Sequence, residues 1–294
     1  MASIVTRLLN GVVRGYLYYS PVTSGKRQLL SLTANLIKPD TPLCVFHTRH
    51  GFRFSADLRD PGQQRIYFYG EHDERYEIRQ LRRILRSGDR CWDIGANIGF
   101  FTCLFAQRVG AGGRVVAFEP VPLTASRLAE NVRLNDFPNV TIVQKALGDA
   151  PGRLPIYRRD EDYAEGTASL RVDAASAGLV SDMVEIETID RLADKLPRPD
   201  FIKIDVEGYQ WQVLQGAGRF FSGHRPMVMA EMDDPDKDLM RRTEEFFRTR
   251  GYEIYEFRKH CLRRCPDTVA SRSRNFFLCP DASRYRERIA PLVR

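Results

Sequence analysis

The sequence predicts an α/β fold, a mainly parallel sheet with helices on both faces, and two observations carry the prediction. Five short apolar runs, Cys91–Ile94, Val115–Phe118, Val140–Val143, Phe201–Ile204 and Met227–Ala230, alternate with helical patterns at Phe100–Val109, Leu123–Asn135, Tyr209–Phe221 and Leu239–Arg250. Such alternation implies strand–helix–strand units and parallel pairing. The second observation is the small-residue turn "DIGANIG" directly after the first run. In open α/β sheets, ligands lie at the carboxyl ends of the strands.

Taken in order, the elements divide the chain at about residue 65, into an N-terminal helical and hairpin extension (1–65) and a larger domain (66–294). Residues 1 to about 40 read as helical up to the break at "KPDTP". Val5, Leu8, Leu9, Val12, Val13 and Tyr16 recur at helical spacing, giving an amphipathic helix. A helix packed on its own domain or on a second subunit is favoured there, with peripheral membrane contact as the alternative. "LCVFHTRHGFRFSADL" alternates as a hairpin around Gly51, and Tyr76, Leu81, Ile84 and Leu85 are spaced for a helix stopping at Gly88. An insertion at about 150–198 holds strand candidates "RLPIYR" and "MVEIET" around a polar loop. "YEIYEFR" and "RNFFLCP" have no helical pattern between them and suggest a closing antiparallel pair.

Length and composition fit this architecture. A chain of 294 residues with 43% hydrophobic content can bury a full core. No stretch approaches the roughly 18 apolar residues of a membrane span, and Arg7 and Arg14 interrupt the opening segment, which makes a poor signal peptide. Six scattered cysteines do not form a secreted disulfide framework, and His260, Cys261, Cys265 and Cys279 match no standard zinc finger. A reduced, cytoplasmic protein is expected. The net charge of +7 is uneven: from Arg241 onward 14 Lys/Arg stand against 7 Asp/Glu, while the preceding residues balance at 31 against 31. A solvated arginine-rich face is favoured over a phosphate or nucleic-acid footprint.

The glycine turn narrows the ligand. Asp93 ends an apolar strand, Gly95 follows two residues on, and Gly99 precedes a helix. The G-x-G-x-x-G dinucleotide fingerprint fails because Asn97 replaces the second glycine and Asp93 points where a pyrophosphate would sit. Glu119 ends the next strand about 20 residues beyond the turn, where an acid suits ribose hydroxyls. A ligand with a ribose, an amine and no phosphate is implied, and S-adenosylmethionine fits.

Asp205 and Glu207 at the end of the fourth strand, and Glu231 at the end of the fifth, are the candidates for chemistry. In extended backbone, Asp205 and Glu207 project to one side. Together with Glu231 they could share a proton, one serving as general base, or hold a divalent metal; both readings stay open. The alternative for Glu207 is a helix-dipole acid, and Lys203 on the same strand face pairs with one of them. Thr167 and Ser169 lie in a loop placed like a lid. His72 is an ordinary surface histidine before an acceptor-side base, and Trp92 and Trp211 are core.

The combination of "DIGANIGFFT", "AFEPVP" and "IKIDVEG", with "YGEHDERYE" before it and "GTASL" and "RPMVMAEM" after the turn, resembles the FkbM-type methyltransferases from about Tyr69 to Glu231. The resemblance implies a class I, Rossmann-like methyltransferase fold with a seven-stranded, mostly parallel sheet and a C-terminal antiparallel pair. It also implies S-adenosyl-L-methionine as donor and a hydroxyl acceptor on a sugar, glycan or polyketide-type natural product. Carried over, Asp93, Gly95, Asn97 and Gly99 line the methionine half, Glu119 holds the ribose, and the Ala146–Asp149 loop, Asp149 included, borders the adenine. The family's DVEG-x-E reads here with Gln210 in place of the last acid, which bears on the acceptor. A nucleic-acid methyltransferase using the basic region and a non-catalytic scaffold are the alternatives. No stable nucleic-acid partner is expected, and homo-oligomerisation stays open.

Overall fold

The computed structural model describes residues 4–20, 26–33, 42–159, 169–170, 179–281 and 285–294. The chain divides into two compact units, Met1–Asp73 and Glu74–Arg294.

The first unit contains helices α1 (Ile4–Tyr19) and α2 (Lys26–Thr33), the hairpin β1 (Leu43–His47) and β2 (Arg53–Asp57), and helix α3 (Pro61–Tyr69). Val13 and Leu17, one turn apart on α1, bury against Leu30, Phe68 and Tyr69. Lys26 donates to the carbonyls of Leu17 (2.7 Å) and Ser20 (2.8 Å), satisfying acceptors that the end of α1 leaves open. The apolar stripe predicted for α1 holds only in part, because Val12 and Tyr16 are 69% and 45% exposed. The hairpin around Gly51 forms in antiparallel register, Phe46 opposite Phe54. Helix α3 was not foreseen, yet its signals are present: Asp60 accepts from Gln63 N at 2.8 Å, and Pro61 sits at the first position.

The second unit opens with α4 (Arg75–Ile84), followed by β3 (Arg90–Ile94), α5 (Phe100–Val109), β4 (Arg114–Phe118), α6 (Pro122–Arg133) and β5 (Val140–Val143). Next come β6 (Ala146–Leu147), β7 (Gly152–Arg159), β8 (Leu179–Glu187), α7 (Ile189–Leu192) and β9 (Phe201–Ile204). Then follow α8 (Gln210–Gln215), α9 (Gly218–Gly223), β10 (Met227–Glu231), α10 (Lys237–Arg248), β11 (Tyr252–Phe257), β12 (Leu262–Arg264), β13 (Asn275–Pro280) and α11 (Arg286–Ile289). Among the described residues the main sheet has the order β12-β11-β13-β10-β9-β3-β4-β5. Strands β3, β4, β5, β9 and β10 run parallel, and β13 is antiparallel to both β10 and β11. This is the α/β fold of the class I methyltransferases, with eight strands where seven were expected; the short edge strand β12 makes the difference. Trp92, Ile94, Ile202, Ile204, Val228 and Phe276 form the centre of the core, and Trp211 packs at its margin.

Three details depart from the sequence pattern. The single helix expected over Tyr209–Phe221 is two, because Gly216 O turns out of the helix to accept from Asp190 N at 2.9 Å. Part of the insertion forms a separate sheet, β6-β8-β7; Thr167 lies outside the described residues. In the arginine-rich C-terminal region Arg263, Arg264 and Arg274 stay more than half exposed, while the strand beside them is core and acids hold the arginines. Every residue of β13 is buried, and Glu256, 4% exposed, binds Arg258, Arg263 and Ser271. Arg264 and Arg286 both pair with Glu253, and Arg288 pairs with Asp89. Among the described residues no helix is long and apolar enough to cross a membrane.

Candidate active site

The parallel strands β3, β4, β9 and β10 end together, and the polar residues of the site leave from those ends. Central strand β3 ends at Ile94, and the chain turns sharply at Gly95, whose φ is +77°. A Cβ on Gly95 would stand 1.7 Å from the Asp205 carbonyl oxygen. The glycine therefore lets the loops after β3 and β9 touch backbone to backbone. Gly99, at φ +90°, likewise admits Leu128 of α6, whose Cδ1 would lie 2.3 Å from an added Cβ. The sequence reading placed both glycines against the ligand; the fold gives both a packing role as well.

The amides of the turn are already used. Gly95 N and Ala96 N donate to Phe118 O at 3.1 and 2.9 Å, Gly99 N donates to Ala96 O, and Ile98 N donates to Asn97 Oδ1. Asn97, in left-handed backbone at φ +49°, donates its own N–H to Glu119 Oε2 at 2.9 Å. Glu119 Oε1 accepts from Val121 N at 3.0 Å. The carboxylate thus ties the end of β4 to the turn after β3.

Asp93 is fully buried on β3, opposite Lys203 on β9. Its Oδ2 accepts from Thr102 Oγ1 at 2.6 Å, while Oδ1 accepts no hydrogen bond among the described residues; Lys203 Nζ stands 3.7 Å from it. Burial pushes this carboxyl above the ordinary aspartate range, and Lys203 and Thr102 hold it back. Lys203 also donates to Asp205 Oδ2 (3.0 Å) and Gly95 O (3.4 Å) and lies 5.2 Å from the Phe101 ring centre. Its burial favours the neutral amine, but Asp205, Asp93 and Glu74 outweigh that and keep the ammonium.

Beyond Lys203 the acids crowd. Strand β9 ends at Ile204, and Glu207 sits in a left-handed turn at φ +45°, so extended alternation does not place it beside Asp205. The turn does so instead: Asp205 acts on Glu207 as a like charge, and together with burial lifts its carboxyl. Glu231, buried at the end of β10, is bonded to Asp205 and to Arg274, whose Nη2 lies 2.6 Å from Oε1. Burial, Asp205 and Glu207 push Glu231 up to about 8 against the pull of Arg274. A proton on Glu231 relieves its repulsion with Asp205. Arg274 also holds Asp233 at 2.8 Å. Among the described residues no group of three or more His, Cys, Asp or Glu side chains is arranged to hold a metal ion.

The remaining sequence-predicted residues lie at the margins. Asp149 is exposed beyond β6, and its charge acts on the Tyr209 hydroxyl. Ser169 donates from Oγ to Glu207 O at 2.8 Å, fastening part of the insertion to the acid turn. His72 belongs to the first unit. Three residues of the acid cluster escaped the sequence reading: Glu74, Arg274 and Asn275. Asn275 Nδ2 donates to Glu74 Oε1 at 2.9 Å, across 201 positions of sequence. Arg274 and Asn275 come from the region read as a solvated tail, and only the order of the sheet brings them here.

Comparison with known proteins identifies the family. The Methyltransferase FkbM domain matches residues 93–254. The chain is 30% identical over 151 residues to the hexuronic acid methyltransferase AglP of Haloferax volcanii, a match spanning 50% of this chain and 56% of that protein. It is 31% identical over 182 residues to the 31-O-demethyl-FK506 methyltransferase FkbM of Streptomyces tacrolimicus, covering 53% of this chain and 69% of the relative. Among solved structures, Methyltransferase FkbM from Methylobacillus flagellatus aligns with a TM-score of 0.45 at 22% identity, over 66% of this chain and 44% of that one. The domain match takes in the glycine turn, Glu119 and the carboxylates at the ends of β9 and β10, and the chain belongs to the FkbM methyltransferase family.

Proposed function

We propose that the protein is an S-adenosylmethionine-dependent O-methyltransferase acting on a hydroxyl of a sugar, glycan or polyketide-type acceptor. The observation that carries this reading is the Asp205 carboxylate, held between Lys203 and Glu231 at the carboxyl end of β9, beside the Gly95 turn. The residues present fit the cofactor. Asp93 Oδ1 makes no hydrogen bond among the described residues beyond the ion pair with Lys203 at 3.7 Å, and a carboxylate there favours a cationic ligand group at the end of β3. Glu119, at the end of β4 beside the turn, is an acceptor-only carboxylate of the kind that takes ribose hydroxyls. The bound cofactor supplies an electrophilic methyl group.

The rest of the work falls to this chain. A neutral alcohol is a poor nucleophile, and a base that accepts its proton as the new bond forms is worth on the order of 10²–10⁴ in rate. Asp205 is that base: its carboxyl is held between Lys203 Nζ, 3.0 Å away, and Glu231, which burial and the neighbouring acids favour in its protonated form. Glu207 and Arg274 border the acceptor, and the Ser169 bond keeps the acid turn in place. Support for a hydroxyl acceptor comes from the relatives, one a hexuronic acid methyltransferase and one a 31-O-demethyl-FK506 methyltransferase.

Titration calorimetry with S-adenosylmethionine tests the cofactor half. Transfer of labelled methyl to a panel of hydroxylated glycans and polyketides, with RNA as control, tests the acceptor half. Binding with transfer to a hydroxyl is expected. Failure to bind the cofactor, or transfer to RNA alone, overturns the reading.

A further inference from the structure

We propose that Glu74 is a positioning residue of the acceptor site, which sets the basicity of Asp205 by charge, and that Asn275 holds it where it can do so. The inference rests on the reading of Asp205 as the base.

Glu74 occupies the cap position at the start of α4, where a carboxylate ordinarily accepts from the first amides of its own helix. It makes no such cap bond. Its carboxyl instead receives the Asn275 amide from the start of β13, the strand that places Asn275 opposite Glu231 of β10. An acid at a helix start has thus been turned away from the helix and fixed among the other acids of the site.

Among the described residues, charges act on Asp205 from several elements. They are Lys203 on β9, Asp93 on β3, Glu207 in the turn, Glu231 on β10, Arg274 before β13 and Glu74 before α4. Asp205 in turn acts on Glu74 as a like charge, and with burial it lifts Glu74 to about 7, against the pull of Lys203, Asn275 and Arg274. Glu74 and Glu231, two carboxyls that feel the charge of Asp205, therefore change charge near neutrality. An ionised Glu74 makes Asp205 a stronger base; a neutral one makes it weaker. Asn275 donates to the ionised form and favours it.

The test is a pH titration of the full chain with carbon-13 in the carboxyls of its glutamates and aspartates, read by NMR without acceptor. In Glu74→Gln one glutamate step disappears, and the steps of Glu231 and Asp205 move to lower pH by about half a unit to one unit. In Asn275→Ala the Glu74 step moves the other way, to higher pH, which a merely structural role does not produce. Unmoved Glu231 and Asp205 steps in folded Glu74→Gln overturn the proposal, as does an unmoved Glu74 step in Asn275→Ala. Calorimetry with S-adenosylmethionine on the same samples separates this failure from failure of the functional reading, since the titration steps do not depend on cofactor binding.

Discussion

The two ends of the site are built on opposite principles. At the β3–β4 end nearly every polar group has a partner of its own: Glu119 takes the amides of Asn97 and Val121, and the turn amides go to Phe118 O, Ala96 O and Asn97 Oδ1. At the β9–β10 end Lys203 and Arg274 face Asp205, Glu74, Glu207, Glu231 and Asp233, and three of these carboxyls are pushed upward. The first end is a rigid seat, in which hydrogen bonds fix the backbone before any ligand arrives. The second is held in tension, in which protons must be shared for the charges to coexist. Rigid seats suit a cofactor common to a family, while a strained cluster of acids suits proton transfer.

The largest effect that would break this contrast is expected at Gly95. Gly95→Val forces a side chain into the Asp205 carbonyl and a β-branched residue into left-handed backbone, joining the two ends in one failure. Overpacking and strain together should cost about 3 kcal/mol or more. Thermal melts should show a large loss of stability in the absence of cofactor. A variant that melts normally but does not bind would return the glycine to a purely ligand-facing role.

Glu119→Ala should come next. It strips an acceptor from two backbone amides, charge-assisted bonds worth about 1.5–3 kcal/mol each, so both stability and cofactor affinity should fall, the latter about tenfold or more. Calorimetry showing unchanged affinity would remove Glu119 from the cofactor seat.

A further effect belongs to the other end and is a slope. Burial and neighbouring acids raise Glu231 from 4.5 to about 8 and Glu74 from 4.5 to about 7. The folded protein keeps these protons where the unfolded chain has released them, so their contribution to stability is full below about 4.5 and is lost as pH rises to about 8. Denaturant unfolding at a series of pH values should show that decline, and Glu231→Gln should flatten it. An unchanged slope in the variant would mean that Glu231 is ionised throughout.

The same contrast explains what was legible in the sequence. The β3–β4 end is local: Asp93, Gly95, Asn97, Gly99 and Glu119 lie within one strand–helix–strand unit, where the spacing of Asp93, Gly95, Gly99 and Glu119 suggested the seat and the family resemblance added Asn97. The alternating strands were legible for the same reason, since each apolar run carries its own period. The acid cluster is non-local. Asp205, Glu207 and Glu231 could be named from the ends of apolar runs, but Glu74 reaches them only because α4 starts there. Arg274 and Asn275 reach them only because β13 inserts between β10 and β11. Nothing in the run "SRSRNFF" distinguishes an arginine that balances an active-site acid from one that faces water. The left-handed turn at Glu207 also had no signal strong enough to displace the extended reading, although Gly208 follows it.

The most direct test of the account is the single-turnover rate of Asp205→Asn, saturated with S-adenosylmethionine and supplied with the acceptor that the panel identifies. If the strained end does the chemistry and the rigid end only holds the cofactor, calorimetric affinity for S-adenosylmethionine should stay at the wild-type value while the rate falls on the order of 10²–10⁴-fold. A near-wild-type rate in a well-folded Asp205→Asn protein would contradict the account, and the base would have to be sought elsewhere.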